Sequence, residues 1–348
     1  MIILAVLFGF ALALLTAGLV YQYVGGWRDE KRIAAPGRLV DTESGLRLHL
    51  FESGAEFQGQ GPPTVVLEAG LCATSLNWRQ LQNSIAAFAH VVSYDRAGLG
   101  WSGPLHTAPT PLNIARELRA LLSQAGISPP FVLVGHSYGS FAVHRFAHLH
   151  AAEVAGVVLV DPLQPKAWAP LTPNKKRQLE GGLKIARVVQ GLARFGVLRL
   201  AIALFGHRIS RTSTVPRGGK KGHVSRLLAR LMEQVSKMPP ELWPAIAAHW
   251  SKPRFYRTAR AYLRALPEAT HEMAAFPPLT GVPVIAITGL RNEFVTDATV
   301  NSLATGCRHV RAQQSGHWVH LDEPELVLEA IRNLVEAATA QRSSRSAG

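Results

Sequence analysis

Residues Gly135, His136, Ser137, Tyr138 and Gly139 form a G-x-S-x-G sequence. A serine hydroxyl at the tip of a tight turn is a candidate nucleophile, provided a base takes its proton. The flanks suit such a turn. Residues 131–134 are four apolar residues following Pro129 and Pro130, and they read as a buried strand. Residues 141–149 place apolar side chains at helical spacing. Strand, turn and helix in that order expose a serine at the apex. The two chain directions nearly touch there, so both flanking positions must be tiny. Gly135 and Gly139 meet that demand.

The rest of the chain must position this turn. Residues 38–42 and 46–52 read as short strands around a Glu43-Ser44-Gly45 turn. Residues 54–63 form a glycine-rich loop, and residues 64–68 a continuous apolar strand. A helix over 78–88 and a strand over 90–94 come next. An amphipathic helix over 112–125 ends at Gly126. After the turn helix, residues 154–160 form a strand closed by Asp161 and Pro162. Strands alternating with helices indicate a mostly parallel sheet covered on both faces. The two cysteines, Cys72 and Cys307, form no C-x-x-C motif and imply no disulfide framework.

Five stretches carry a family resemblance. They are Glu68-Ala69-Gly70-Leu71, Asp95-Arg96-Ala97-Gly98-Leu99-Gly100-Trp101-Ser102, Gly135 to Gly139, Val158-Leu159-Val160-Asp161, and Ser315-Gly316-His317-Trp318. In that order, over residues 38–340, the chain resembles a serine hydrolase of the α/β-hydrolase fold. The resemblance implies a mostly parallel central sheet with helices on both faces and an inserted helical cap. It assigns Ser137 as nucleophile and His317 as base. His317 lies after a strand over 308–312 and the Ser315-Gly316 turn, and before a helix over 324–338. Of the 14 histidines, His320 is the nearest competitor and is expected to face elsewhere. His136 is expected to pack. The oxyanion hole would use the backbone N–H groups of Leu71 and Tyr138. Cys72 beside it reads as a small buried residue.

The acid has two candidates. The family's usual G-x-x-D position comes after the strand over 284–288, and here Gly289-Leu290-Arg291-Asn292 ends in an amide. An amide cannot stabilise an imidazolium as a carboxylate does. Glu293 lies one residue further along. Asp161 ends the strand after the nucleophile strand, where some relatives keep their acid. Asp161 is the expected partner of His317, because the strand end and Pro162 hold its short side chain. Glu293 is the alternative.

The formal charge is +14, and it is unevenly placed. Residues 163–280 hold 21 Lys/Arg against 5 Asp/Glu, whereas the remainder is near neutral. This basic segment is expected to be the helical cap, and it favours an anionic surface or substrate. Its first helix is expected over 183–205, a second apolar stripe at Val224, Leu227, Leu228, Leu231 and Val235, and further helices over 241–250 and 253–266. Residues 2–20 are an apolar run about long enough to cross a bilayer, with Tyr21, Tyr23 and Trp27 after it at an aromatic belt. It reads as a retained anchor over 1–25, with a linker over 26–37; a cleaved signal peptide is the rival. The Lys/Arg excess beyond the span would place the body in the cytoplasm, but such an anchor can also export the residues C-terminal to it. Residues 341–348 read as a disordered tail.

These features imply a hydrolase acting on a carboxylic ester or related acyl bond, with no metal or organic cofactor. The same residues could serve acyl transfer, C–C bond hydrolysis or amide cleavage, or the fold could be retained for binding. Epoxide opening is disfavoured, because those relatives carry a carboxylate where Ser137 stands. No recognition motif supports nucleic acid as a partner. The expected partners are an acyl substrate and a membrane.

Overall fold

The computed structural model describes residues 1–211, 233–290 and 296–346. In chain order its elements are α1 (Ile2–Arg32), β1 (Arg38–Asp41), β2 (Arg47–Ser53), β3 (Thr64–Glu68), α2 (Arg79–Ile85), β4 (Val91–Asp95), α3 (Pro111–Gln124), β5 (Phe131–His136), α4 (Gly139–Leu149) and β6 (Val154–Val160). Then come α5 (Pro173–Arg194), α6 (Val197–Arg211), α7 (Trp243–Trp250), α8 (Pro253–Ala275), β7 (Val284–Thr288), α9 (Asp297–Asn301), β8 (Arg308–Arg311), α10 (Val319–Asp322) and α11 (Pro324–Ser346). The chain divides into two units. One comprises residues 1–35 and 174–263, the other residues 36–173 and 264–348.

The second unit is built on an eight-stranded sheet of order β1-β2-β4-β3-β5-β6-β7-β8. β2 pairs antiparallel with β1 and β4, and every other pair is parallel. Parallel strands covered on both faces carry unbroken apolar runs. β5 shows how one run serves two cores. Phe131 and Leu133 point to one face with Leu118 and Leu122 of α3 and Phe146 of α4. Val132 and Val134 point to the other with Leu81 of α2 and Val327, Ile331 and Leu334 of α11. This is the two-residue period of a strand. The mostly parallel sheet with helices on both faces agrees with the sequence expectation.

The first unit contains α1, α5, α6, α7 and the start of α8. α1 is 31 residues long, with a mean hydropathy of 2.6 over its most apolar 18-residue stretch and none of its residues buried. That is long and apolar enough to cross a membrane. Its helix continues to Arg32, so most of the stretch assigned as a linker over 26–37 is helical.

Three other expectations change. The single cap helix expected over 183–205 is two helices bent by 85°. Gly196 lies between them with φ of +71°, a left-handed conformation that glycine adopts without a side-chain penalty and that ends α5. α8 continues to Ala275 with Pro267 inside it. α11 reaches Ser346, so most of the stretch read as a disordered tail is helix. Of the expected stripe at 224–235, Val224, Leu227, Leu228 and Leu231 lie outside the described residues.

Candidate active site

Ser137 and Tyr138 make the whole turn between β5 and α4. Ser137 has φ of +52°, a region costly for a residue with a side chain. The surroundings hold it there. Its N–H donates to Val160 O at 3.0 Å, and its carbonyl accepts from Ser140 Oγ at 2.6 Å. The glycines answer to close approach. A Cβ on Gly135 would lie 2.6 Å from Val143 Cγ2, and one on Gly139 would lie 2.5 Å from Ala69 O. Tyr138 stands at the N-terminus of α4. Its phenol donates to Pro109 O at 2.7 Å, and its side chain is fully buried.

Asp161 directly follows β6 and also has a left-handed backbone, with φ of +42°. Its Oδ2 lies 2.5 Å from His317 Nδ1. Its Oδ1 accepts the N–H of Gly289 at 3.1 Å. The carboxylate is buried, whereas the His317 side chain is 41% exposed. With Nδ1–H donating to a carboxylate, the imidazole keeps Nε2 as its acceptor nitrogen.

The loop bearing His317 is tied from three sides. The Glu323 carboxylate accepts N–H groups of Gln313, Gln314 and Ser315 at 3.1, 2.8 and 2.7 Å. Leu290 N–H donates to Ser315 O at 2.8 Å. Gly289 sits so close that a Cβ there would lie 1.8 Å from Gly316 O. The third tie is His136, whose Nε2–H donates to the carbonyl of His317 at 2.9 Å. The two rings stand 4.7 Å apart. Burial drives the His136 pKa well below 6.5, and the neighbouring His320 and His317 push it further. His136 is therefore a neutral donor. His320 is buried, with its ring 4.4 Å from that of His136 and 4.5 Å from that of Trp78.

The loop after β3 also approaches Ser137. A Cβ on Gly70 would lie 3.5 Å from Ser137 Cβ and 2.9 Å from His136 Nδ1. Leu71 and Cys72 come directly after it. Beneath the loop runs the buried Arg96 guanidinium. It donates to Glu68 Oε1 through Nε at 2.6 Å, to Ala69 O, and to Gly70 O at 3.3 Å. Tyr94 Oη donates to the other oxygen of Glu68.

A family model described as alpha/beta hydrolase fold matches residues 63–324. The chain belongs to the alpha/beta hydrolase fold family. An AB hydrolase superfamily protein of Gibberella zeae is 33% identical over 131 residues, which is 36% of this chain and 41% of that protein. The chain thus aligns with about two-fifths of the length of such curated relatives. A thermophilic esterase from Thermogutta terrifontis shares the fold at TM-score 0.58 and 19% identity, covering 87% of this chain and 98% of that one. The Cif epoxide hydrolase from Acinetobacter nosocomialis does so at 0.65 and 17%, covering 91% and 96%.

The Asp95–Ser102 stretch is tied to its surroundings through Asp95. Asp95 accepts N–H groups of Ser75 and Trp101 at 2.8 and 3.0 Å, and its Oδ2 lies 2.9 Å from His49 Nδ1. Burial pushes its pKa up, but His49 and these N–H groups outweigh that, and the net shift is downward. Cys72 has φ of +57°, so Cys72, Ser137 and Asp161 are the three non-glycine residues with positive φ among the described residues. Burial pushes the Cys72 thiol up to about 12, so it is not a thiolate nucleophile at neutral pH. Sequence reasoning missed the ties made by Arg96, Glu323 and Gly289. Only the identity of Gly289, as the start of G-x-x-D, gave any signal. Glu293 and Asn292 lie outside the described residues. Among the described residues, no cluster of His, Cys, Asp or Glu could hold a metal ion.

Proposed function

We propose that this protein is a serine hydrolase cleaving a carboxylic ester or related acyl bond through an acyl-serine intermediate. The observation carrying this reading is the 2.5 Å contact between His317 Nδ1 and the buried Asp161 carboxylate, with a strained Ser137 on the neighbouring strand end. Asp161 fixes the imidazole tautomer and stabilises its charged form. His317 Nε2 takes the Ser137 proton as Oγ attacks the acyl carbon. The N–H groups of Leu71 and Tyr138 receive the developing oxyanion. His317 then gives the proton to the leaving alcohol, and water repeats the sequence to release the acid. A serine favours acyl chemistry over epoxide opening, which forms an enzyme-bound ester on a carboxylate.

A fluorophosphonate probe should label the protein on Ser137, as located by mass spectrometry. Labelling that survives Ser137→Ala would overturn the proposal. We further propose that α1 is a retained membrane span. Two ion pairs to the cap unit support this, Asp29 with Arg199 at 2.7 Å and Glu30 with Lys252 at 3.3 Å. The protein should resist carbonate extraction and keep residues 1–20 in its mature form.

A further inference from the structure

α1 is joined to the cap helices by more than those ion pairs. Gly18 and Gly196 meet backbone to backbone. A Cβ on Gly18 would lie 2.4 Å from Phe195 O, and one on Gly196 would lie 3.0 Å from Gly18 O and 2.8 Å from the Tyr21 ring. One turn pair further along, a Cβ on Gly25 would lie 2.7 Å from the Arg199 side chain. Small residues that let helix backbones touch are the usual means of association in lipid. Beyond this crossing the joint turns polar. Arg199 donates to Gln22 Oε1 at 3.1 Å and to Asp29 at 2.7 Å, and Gln22 donates to Ser251 O at 3.2 Å.

This joint fixes the depth of α6. The run from residue 2 to Gly18 spans about 24 Å at 1.5 Å per residue, most of a hydrocarbon core of about 30 Å. Tyr21, Tyr23 and Trp27 mark the boundary, and Lys31 Nζ stands 3.9 Å over the Trp27 ring. α6 therefore starts at the level where α1 leaves lipid. From there its outward face is apolar. Val197, Leu200, Leu204 and Phe205 are about half exposed or more, at 48, 49, 63 and 52%. Between residues 197 and 205 the sole charge is Arg199, which is paired with Asp29. Val188 and Leu192 extend the apolar surface onto α5. The exposed Lys184, Arg187 and Arg194 of α5 suit the phosphate level beside it.

We propose that the lipid interface covers this face, so that α6 lies at headgroup depth beside the end of the α1 apolar run and the cap rests in the bilayer surface. The face continues directly from the span, its one charge is neutralised internally, and its basic neighbours complement anionic headgroups. The inference rests on α1 being a span. A test must separate the two. In the full chain carrying Cys72→Ser and Cys307→Ser, single cysteines replace Leu12 or Leu204, both exposed. Each is labelled with nitrobenzoxadiazole and placed in nanodiscs of phosphatidylcholine and phosphatidylglycerol. Emission from both positions should be lost more to doxyl-labelled lipid than to aqueous cobalt. Lipid quenching at 12 with aqueous quenching at 204 would overturn the inference and leave the anchor intact. Aqueous quenching at both would overturn both readings. Adding Gly18→Leu should release the probe at 204 from lipid quenching and leave the probe at 12 unchanged; unchanged quenching at 204 would overturn the joint as the cause.

Discussion

At the scale of single residues, the catalytic proposal turns on one carboxylate. Asp161 holds the far nitrogen of His317 from a buried position, and its second oxygen is fixed by Gly289 N–H. Asp161→Asn should leave the fold intact and lower kcat by up to about 10⁴, as loss of the correct tautomer does in a comparable triad. Steady-state kinetics on a reactive ester would measure this. An unchanged kcat would remove Asp161 from the mechanism. The contact between Asp161 and His317 was legible because a strand end, a neighbouring proline and the amide at Asn292 all pointed to it. The left-handed backbone of Cys72 was not legible. No turn residue stands at that position.

At the scale of elements, the loop after β3 depends on a side chain from β4's end. Arg96 reaches under that loop to two of its carbonyls and to Glu68, all in the core. Burial pushes the Glu68 carboxyl up, and the Arg96 charge opposes this. Arg96→Leu would leave that buried carboxyl with the Tyr94 phenol but without its charged partner. The expected loss is about 3–5 kcal/mol of stability, measured by urea denaturation in detergent. A loss under about 1 kcal/mol would mean that the pair does not hold the loop. Strand and helix placement was widely legible here, because both cores obey simple two- and 3.6-residue periods. The ties between loops were not, since Arg96, Glu323 and Gly289 act on backbone atoms brought close only by folding. The break in the cap helix was also missed. A lone glycine does not by itself end a helix, and the contact of Gly196 with Gly18 comes from 178 residues away in sequence.

At the scale of the whole molecule, buried histidines set the response to acid. His144 donates to Leu303 O at 3.0 Å, and burial lowers its pKa from 6.5 to about 4. His136 is shifted in the same direction. Between about 4 and 6.5 the unfolded chain binds protons that these folded sites refuse, so stability falls as pH drops through that window. His49 acts the other way. Burial lowers its pKa, but Asp95 more than reverses this, so its contribution is present below 6.5 and is lost as pH rises through its folded value. His144→Gln should flatten the fall in unfolding free energy between about pH 7 and about pH 5, by at most about 1.4 kcal/mol per pH unit. An unaltered slope would show that His144 takes up its proton in the folded state.

The unit formed by residues 1–35 and 174–263 has a consequence for how the protein is made. Gly18 leaves the ribosome long before Gly196, its backbone neighbour. At 5–20 residues per second the delay is roughly 10–35 s. Throughout that interval the α1 face that will receive α6 has no partner from its own chain. With α1 as the proposed span, lipid or the insertion machinery would shelter it, and a ribosome stalled before residue 196 would leave α1 without the helix that packs on Gly18.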